Sequence, residues 1–303
     1  MNDIIENEAQ AFDATLPAGI SENDYNIAAT SAGFDEDNPL IRFEKDLAFC
    51  SLRAKLDASE NDWLSQQPIS GPWDTASDPD NHFIDDIVER TVLNEQAEVI
   101  VLDDKGNPVI YKFIDDEGTY ITIANNDYVA LAQINSGTIP TNNPNVTSFK
   151  PEKPSGNSIC KDKNTIISYP ENQAGRIKCI TKLRREWGRI GNSRVISKSK
   201  IVAVTRGYRL VRNVWRVRRT LISASINGVG VTDNAKTNVS CGAMEERFVA
   251  KERRRRRVRV VEKISPFLGA LPDLRYLTVY KGNAFTSHKQ SSVVLNNADI
   301  FGL

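Results

Sequence analysis

The sequence predicts an α+β chain in two parts: a small acidic amino-terminal domain of helices with a β-hairpin, followed by a basic antiparallel β domain, a sandwich or open barrel. Three observations predict it. Charge is divided, since residues 1–150 carry 8 Lys+Arg against 28 Asp+Glu while residues 151–303 carry 31 against 11. Apolar residues recur at helical spacing in the first part and at strand spacing in the second. Finally, the run Arg253 to Arg259, RRRRRVR, lies between Phe248 and Val261, a setting that reads as a strand and not as a charged tail.

Residues 1–38 are acidic, rich in Asn, Asp, Ala and Ser, and without a sustained period, so a disordered leader is expected there. An acidic α+β domain is expected over residues 39–134. Leu40, Phe43, Leu47, Cys50 and Ala54 form the stripe of one amphipathic helix, which places Cys50 on its buried face. Ser59 with Asp62 resembles a capping box that opens a second helix bearing Trp63 and Leu64. A loop from Pro68 to Asp80 ends it, and Phe83, Ile84, Ile87 and Val88 predict a short helix next. Ala97 to Leu102 and Pro108 to Phe113 flank a five-residue turn and predict a hairpin, joined by a third strand over Thr119 to Ile123. Asn126 or Asp127 then caps a last helix through Ile134.

Residues 135–158 collect Gly, Pro, Ser, Thr and Asn and read as a linker. The basic β domain is expected over residues 159–303, with strands at Arg176 to Leu183, Arg194 to Thr205, Val214 to Ile226, Phe248 to Val261 and Leu274 to Tyr280. A turn near Val211-Arg212-Asn213 makes a long hairpin. Asn227 to Ala243, with Gly228 and Gly230, reads as a long loop.

Several of these segments carry a resemblance. FCSLRAKLDASENDWL (Phe49 to Leu64), DPDNHFIDD (Asp78 to Asp86), RTVLNEQAEV (Arg90 to Val99) and IYKF (Ile110 to Phe113) precede a pattern WGRI…KSK…YRLVRNVWRVRRT (Trp187 to Thr220) and the arginine-rich strand. As a set, over roughly residues 40–290, they resemble an uncharacterised exported Bacteroidetes family, a domain of unknown function. The resemblance implies a secreted protein, extracellular or in the cell envelope, if an export signal precedes Met1. With Met1 as the true start, cytoplasmic residence is expected. The resemblance assigns no catalytic or binding residue.

Catalytic signatures are missing. His82 and His288 stand in different halves, outside any HExxH spacing, and there is no GxSxG, phosphate-loop or dinucleotide glycine pattern. A non-enzymatic protein without cofactor or metal is therefore expected, the remaining enzyme reading being a hydrolase whose residues meet only in space. Asp78, Asp80, Asp85 and Asp86 lack the order and central Gly of a calcium loop. Asn145-Val146-Thr147 and Asn238-Val239-Ser240 fit the glycosylation pattern. Cys160 and Cys241 are candidates for a disulfide, which in an oxidising compartment would contribute about 4 kcal/mol. No stretch approaches the ~20 apolar residues of a membrane span.

What remains is charge. In one continuous strand Arg253, Arg255, Arg257 and Arg259 would share a face and Arg254 and Arg256 the other. Same-face guanidinium groups ~7 Å apart repel by about 0.6 kcal/mol per neighbouring pair in water, so the ladder needs no partner to be tolerated. Arg209, Arg212, Arg216 and Arg218 add a second block, interleaved with Tyr208 and Trp215. These eight arginines are the candidate polyanion-binding residues. Arginine outnumbers lysine 19 to 12 in residues 151–303, which suits bidentate contacts to carboxylate, phosphate or sulfate. The expected partner is an anionic surface polymer or the chain's own acidic half. The alternative is a nucleic acid, with the acidic half as regulator.

Overall fold

The first helices form where the sequence predicts a leader without structure. In the computed structural model, which describes residues 1–115, 119–150, 163–168, 171–172, 175–189, 195–234, 244–264, 275–288 and 294–297, α1 spans Asn2–Ala14 and α2 spans Glu22–Ser31. Two causes override the polar composition. Ser21 caps α2, its Oγ accepting from Asp24 N at 3.1 Å. Phe12 then stacks on Phe34 at 4.1 Å and meets the edge of Tyr25 at 5.6 Å, an aromatic cluster hidden by its wide sequence spacing.

The chain divides into two compact units, Met1–Trp63 with Ala76–Lys150, and Leu64–Thr75 with Pro151–Leu303. In the first unit the expected stripe from Leu40 to Ala54 is two helices, α3 at Asn38–Glu44 and α4 at Leu52–Gln66. Ser51 starts the second, its Oγ accepting from Ala54 N at 3.0 Å. Cys50 consequently lies in the connection and is exposed, correcting the buried placement. Ser59 caps nothing, because α4 runs through it and its hydroxyl donates to the Lys55 carbonyl at 3.0 Å. α5 begins later than expected, at Ile87–Val92, because Asp86 accepts from the N–H groups of Val88 and Glu89.

The hairpin is observed as β1, Glu98–Leu102, against β2, Pro108–Phe113, with Asp103 bonding the turn N–H groups of Lys105 and Asn107. β3, Tyr120–Ile123, follows, and Asp127 caps α6, Tyr128–Asn135, by accepting from Ala130 N. The expected linker contributes β4, Val146–Phe149, which pairs with β3, so residues 135–158 are not all connection. The antiparallel sheet runs β1-β2-β3-β4. Ile110, Ile121 and Ile123 on its buried face pack with Ala130 and Ile134 of α6.

In the second unit the described residues from Lys163 onward form antiparallel strands joined by short turns. Its strands are β5 (Lys163–Ser168), β6 (Glu171–Asn172), β7 (Gly175–Arg189), β8 (Val195–Val211), β9 (Val214–Val217), β10 (Thr220–Asn234), β11 (Met244–Arg255), β12 (Arg257–Ile264), β13 (Arg275–His288) and β14 (Val294–Asn297). One sheet has the order β12-β8-β7-β5, with β6 on β7 and β9 on β8; the other has the order β11-β10-β13-β14. Gly228 and Gly230 lie within β10, opposite Arg247 and Glu245, so residues 227–234 of the expected loop are strand, and the rest of that loop lies outside the described residues. A register shift between Val229 and Gly230 on the β13 side shows what the glycines accommodate.

Two crossings between these sheets lie within the described residues, and both occur at arginines. β9 stops at Val217 and Arg218-Arg219 lead into β10; β11 stops at Arg255 and Arg256 leads into β12. Gly207 of β8 ties both, donating its N–H to the Arg256 carbonyl at 3.2 Å and accepting from Arg218 N at 2.8 Å. The predicted strand from Phe248 to Val261 is thus two strands in two sheets.

Candidate polyanion-binding site

The tip of the β8–β9 hairpin concentrates exposed positive charge. Arg212 and Asn213 make its two-residue turn with φ of 49° and 64°, the doubly left-handed turn whose twist matches paired strands. That turn sets the register, and the register puts Arg209 directly opposite Arg216. Arg209, Arg212 and Arg216 are all exposed, and none of the three is in an ion pair among the described residues. Arg218, at the crossing, is half-buried.

The aromatic residues between these arginines face the other way. Leu210 opposes Trp215 and Tyr208 opposes Val217, so Tyr208 and Trp215 share the face opposite to Arg209 and Arg216. Trp215 is 5% and Tyr208 2% exposed. Both pack edge-on against Trp73, at 5.3 and 5.4 Å between ring centroids.

Trp73 belongs to Leu64–Thr75, which folds with the β strands. Trp215 Nε1 donates to the Pro68 carbonyl at 2.9 Å, and Arg176 Nη2 donates to the Gly71 carbonyl at 2.7 Å. The Arg176 guanidinium lies 4.9 Å from the Trp73 ring and 5.2 Å from the Trp215 ring. Burial lowers its pKa from the ordinary arginine value. Two residues along β7, on the same face, Lys178 sets its ammonium 5.9 Å from the Tyr208 ring. Lys178 opposes Arg206 in β8, and Arg206 opposes Arg257 in β12, so three cations form a row across neighbouring strands. Lys178 and Arg206 are buried.

The arginine run itself is not the ladder expected of one strand. The bend at Arg256 resets the alternation, so Arg255 and Val258 are both buried while Arg256, Arg257 and Arg259 are half-buried. Arg255 is 6% exposed and therefore no part of a solvent-facing ladder. The side chain of Arg253 lies outside the described residues, as do Cys160 and Cys241 entirely.

Arg176, Lys178, Arg206 and Trp73 were not apparent as site residues from the sequence. The only available signal was the alternate spacing of Arg176 and Lys178 in a β-rich run; nothing linked them to a tryptophan a hundred residues earlier. In the first unit the remaining candidates have structural partners. His82 Nδ1 accepts from Ile84 N at 3.1 Å, Asp78 accepts from Asp80 N at 2.8 Å, and Asp80 pairs with Arg90 at 3.4 Å. No group of three His, Cys, Asp or Glu is placed for a metal among the described residues. None of their helices is long and apolar enough to cross a membrane. The exposed Cys50 has its thiol pKa pushed up, first by a hydrogen bond with Glu95 and then by burial and the charges of Glu95 and Glu44, which disfavours its thiolate. Comparison with family models, curated proteins and solved structures finds no match to the chain.

Proposed function

We propose that the protein is a non-enzymatic interaction protein, exported or envelope-associated, whose basic β unit binds an anionic polysaccharide through the β8–β9 hairpin. The observation that carries this reading is the registered pair Arg209–Arg216 with Arg212 at the turn, three exposed guanidinium groups held by two strands and a tight turn. A fixed cluster loses less rotational freedom on binding than scattered surface charges do. Guanidinium groups also suit bidentate contact with sulfate, phosphate or carboxylate. We read the two antiparallel sheets as the layers of a sandwich, with the hairpin projecting beside the corner where the chain crosses between them.

Burial of Tyr208 and Trp215 favours a polysaccharide over a nucleic acid. An exposed aromatic among arginines would offer a stacking platform for bases. With both rings packed on Trp73, the hairpin offers its arginines to a ligand without an exposed aromatic ring beside them.

The test is binding of the full chain to a sulfated polysaccharide and to duplex DNA at low salt, with an Arg209→Gln/Arg212→Gln/Arg216→Gln variant alongside. The expected result is polysaccharide binding by the parent that the variant loses at least about tenfold, the loss of ~1.4 kcal/mol or more. Absence of any binding at low salt would return these arginines to the chain's own acidic half. Tighter binding to DNA would favour the nucleic-acid reading.

A further inference from the structure

Among the described residues the sheet of the first unit ends at β1, and no strand pairs with its outer side. Two observations fix which backbone groups point outward there. Phe113 donates its N–H to the Ala97 carbonyl at 3.0 Å, so bonding to β2 falls on Ala97 and, by alternation, on Val99 and Val101. Glu98 turns both its groups away from β2, its N–H donating to Asn94 Oδ1 and its carbonyl accepting from Asn94 N, each at 2.9 Å. Ile100 and Leu102 therefore present N–H and C=O to the outside. The side chains along this edge are apolar and uncovered, with Ile100, Val101 and Leu102 57%, 45% and 66% exposed. Edge strands are ordinarily blunted by charge, proline or a bulge. From Ile100 to Leu102, β1 carries none of these.

We propose that β1 is a homodimer interface, in which the Ile100–Leu102 edges of two copies pair antiparallel about a two-fold axis at Val101. That axis sets Ile100 opposite Leu102 of the second copy, and the N–H and C=O of both residues then find partners. Val101 meets its own counterpart in a pair without hydrogen bonds. Ile100 lies directly beside Ile110, which is buried in the core under α6, so the contact continues an apolar face already in use. Charge explains why a second copy is the occupant. The acid of the strand, Glu98, is buried against Lys112 at 3.3 Å and Asn135 at 2.9 Å. At the far end the Asp103 carboxylate accepts from the N–H groups of Lys105 and Asn107 in its own turn. A charged strand would find no counter-charge along this edge, whereas a short apolar strand fits it, and β1 is itself one. So short an edge buries well under the ~1,200 Å² of a standard interface, which makes the dimer weak and concentration-dependent. The dimer does not depend on polymer binding, but it would bring two arginine hairpins to one polymer and raise affinity by avidity.

Sedimentation velocity of the full chain, from low micromolar concentration to ~1 mM, is expected to show a monomer–dimer equilibrium. Ile100→Pro removes an outward N–H and no bond to β2, and Leu102→Lys sets a charge on the edge. Each should weaken the dimer at least about tenfold while circular dichroism and the melting temperature stay close to the parent's. Thr147→Lys on β4, at the opposite end of the sheet, should leave the dimer unchanged. In a Cys50→Ser background, mild oxidation should cross-link Val101→Cys to its counterpart, because such partners lie ~4.5 Å apart at Cα, within disulfide reach. Salt should strengthen the dimer, since residues 1–150 carry 28 Asp+Glu against 8 Lys+Arg and two such units repel. A chain that stays monomeric throughout would overturn the proposal, as would a dimer that survives both edge variants. Association that salt weakens and both variants keep would belong to acidic and basic halves of different copies, and it too would overturn the edge. If Ile100→Pro does not fold, Leu102→Lys and the cross-link decide by the same criteria.

Discussion

Arg212 carries two conflicting demands. The hairpin turn needs a residue that accepts φ near +50°, which suits Gly or Asn, yet the position holds an arginine at φ 49°. A charged residue kept at a strained position points to use of the charge. Arg212→Gly is therefore expected to raise stability by about 0.5–1 kcal/mol, after allowing for the extra freedom of glycine in the unfolded chain. The same change should weaken polysaccharide binding. Thermal unfolding and a binding titration on one preparation check both, and a variant that is stabilised with unaltered affinity would show that Arg212 is no ligand. Arg209 and Arg216 carry no such strain, and their importance comes from register alone.

At the scale of elements, local chemistry explains what was legible. The β1–β2 hairpin, β3 and α6 could be read because Asp103, the turn glycine and Asp127 are local signals that act within a few residues. The leader helices α1 and α2 were missed because the ring cluster of Phe12, Tyr25 and Phe34 joins residues too far apart to register as a period. The apolar stripe from Leu40 to Ala54 was a true period with a false continuity, since Ser51 restarts the helix. One element also supplies a test in pH. The Asp127 carboxyl is held below the usual carboxylate range, first by the Ala130 N–H and then by the Asn143 and Asn145 amides. A depressed folded pKa means that the unfolded chain binds the proton more tightly. The contribution is thus complete above the ordinary aspartate value of about 4 and is lost as pH falls through the lower folded value. The melting temperature should fall across that acidic window, and Asp127→Asn should flatten this part of the profile. An unchanged profile would remove Asp127 as the linked group.

For the whole molecule, the charge division was the most legible fact and the least specific. It located the basic β part but not which of its cations face solvent. Alternation along one imagined strand suggested a ladder from Arg253 to Arg259, whereas the crossing at Arg256 sends the run into two sheets and buries Arg255. No local signal marks that crossing, because it depends on β10 and β8 presenting separate edges to one continuous sequence. The expected boundary at residue 159 has the same origin. Leu64–Thr75 folds with the β strands although it lies far from them in sequence, through Trp73 and two backbone carbonyls. A fragment beginning near residue 151 would lack that segment, so the full chain is the proper material for binding studies.

The central claim is that charge on the β8–β9 hairpin binds an external anionic polymer. The most direct measurement is the slope of log affinity against log salt for the parent and for Arg209→Gln/Arg212→Gln/Arg216→Gln. If each arginine releases about one counterion on contact, the slope of the triple variant should be shallower by roughly 2–3. Equal slopes, with equal affinities at low salt, would contradict the account.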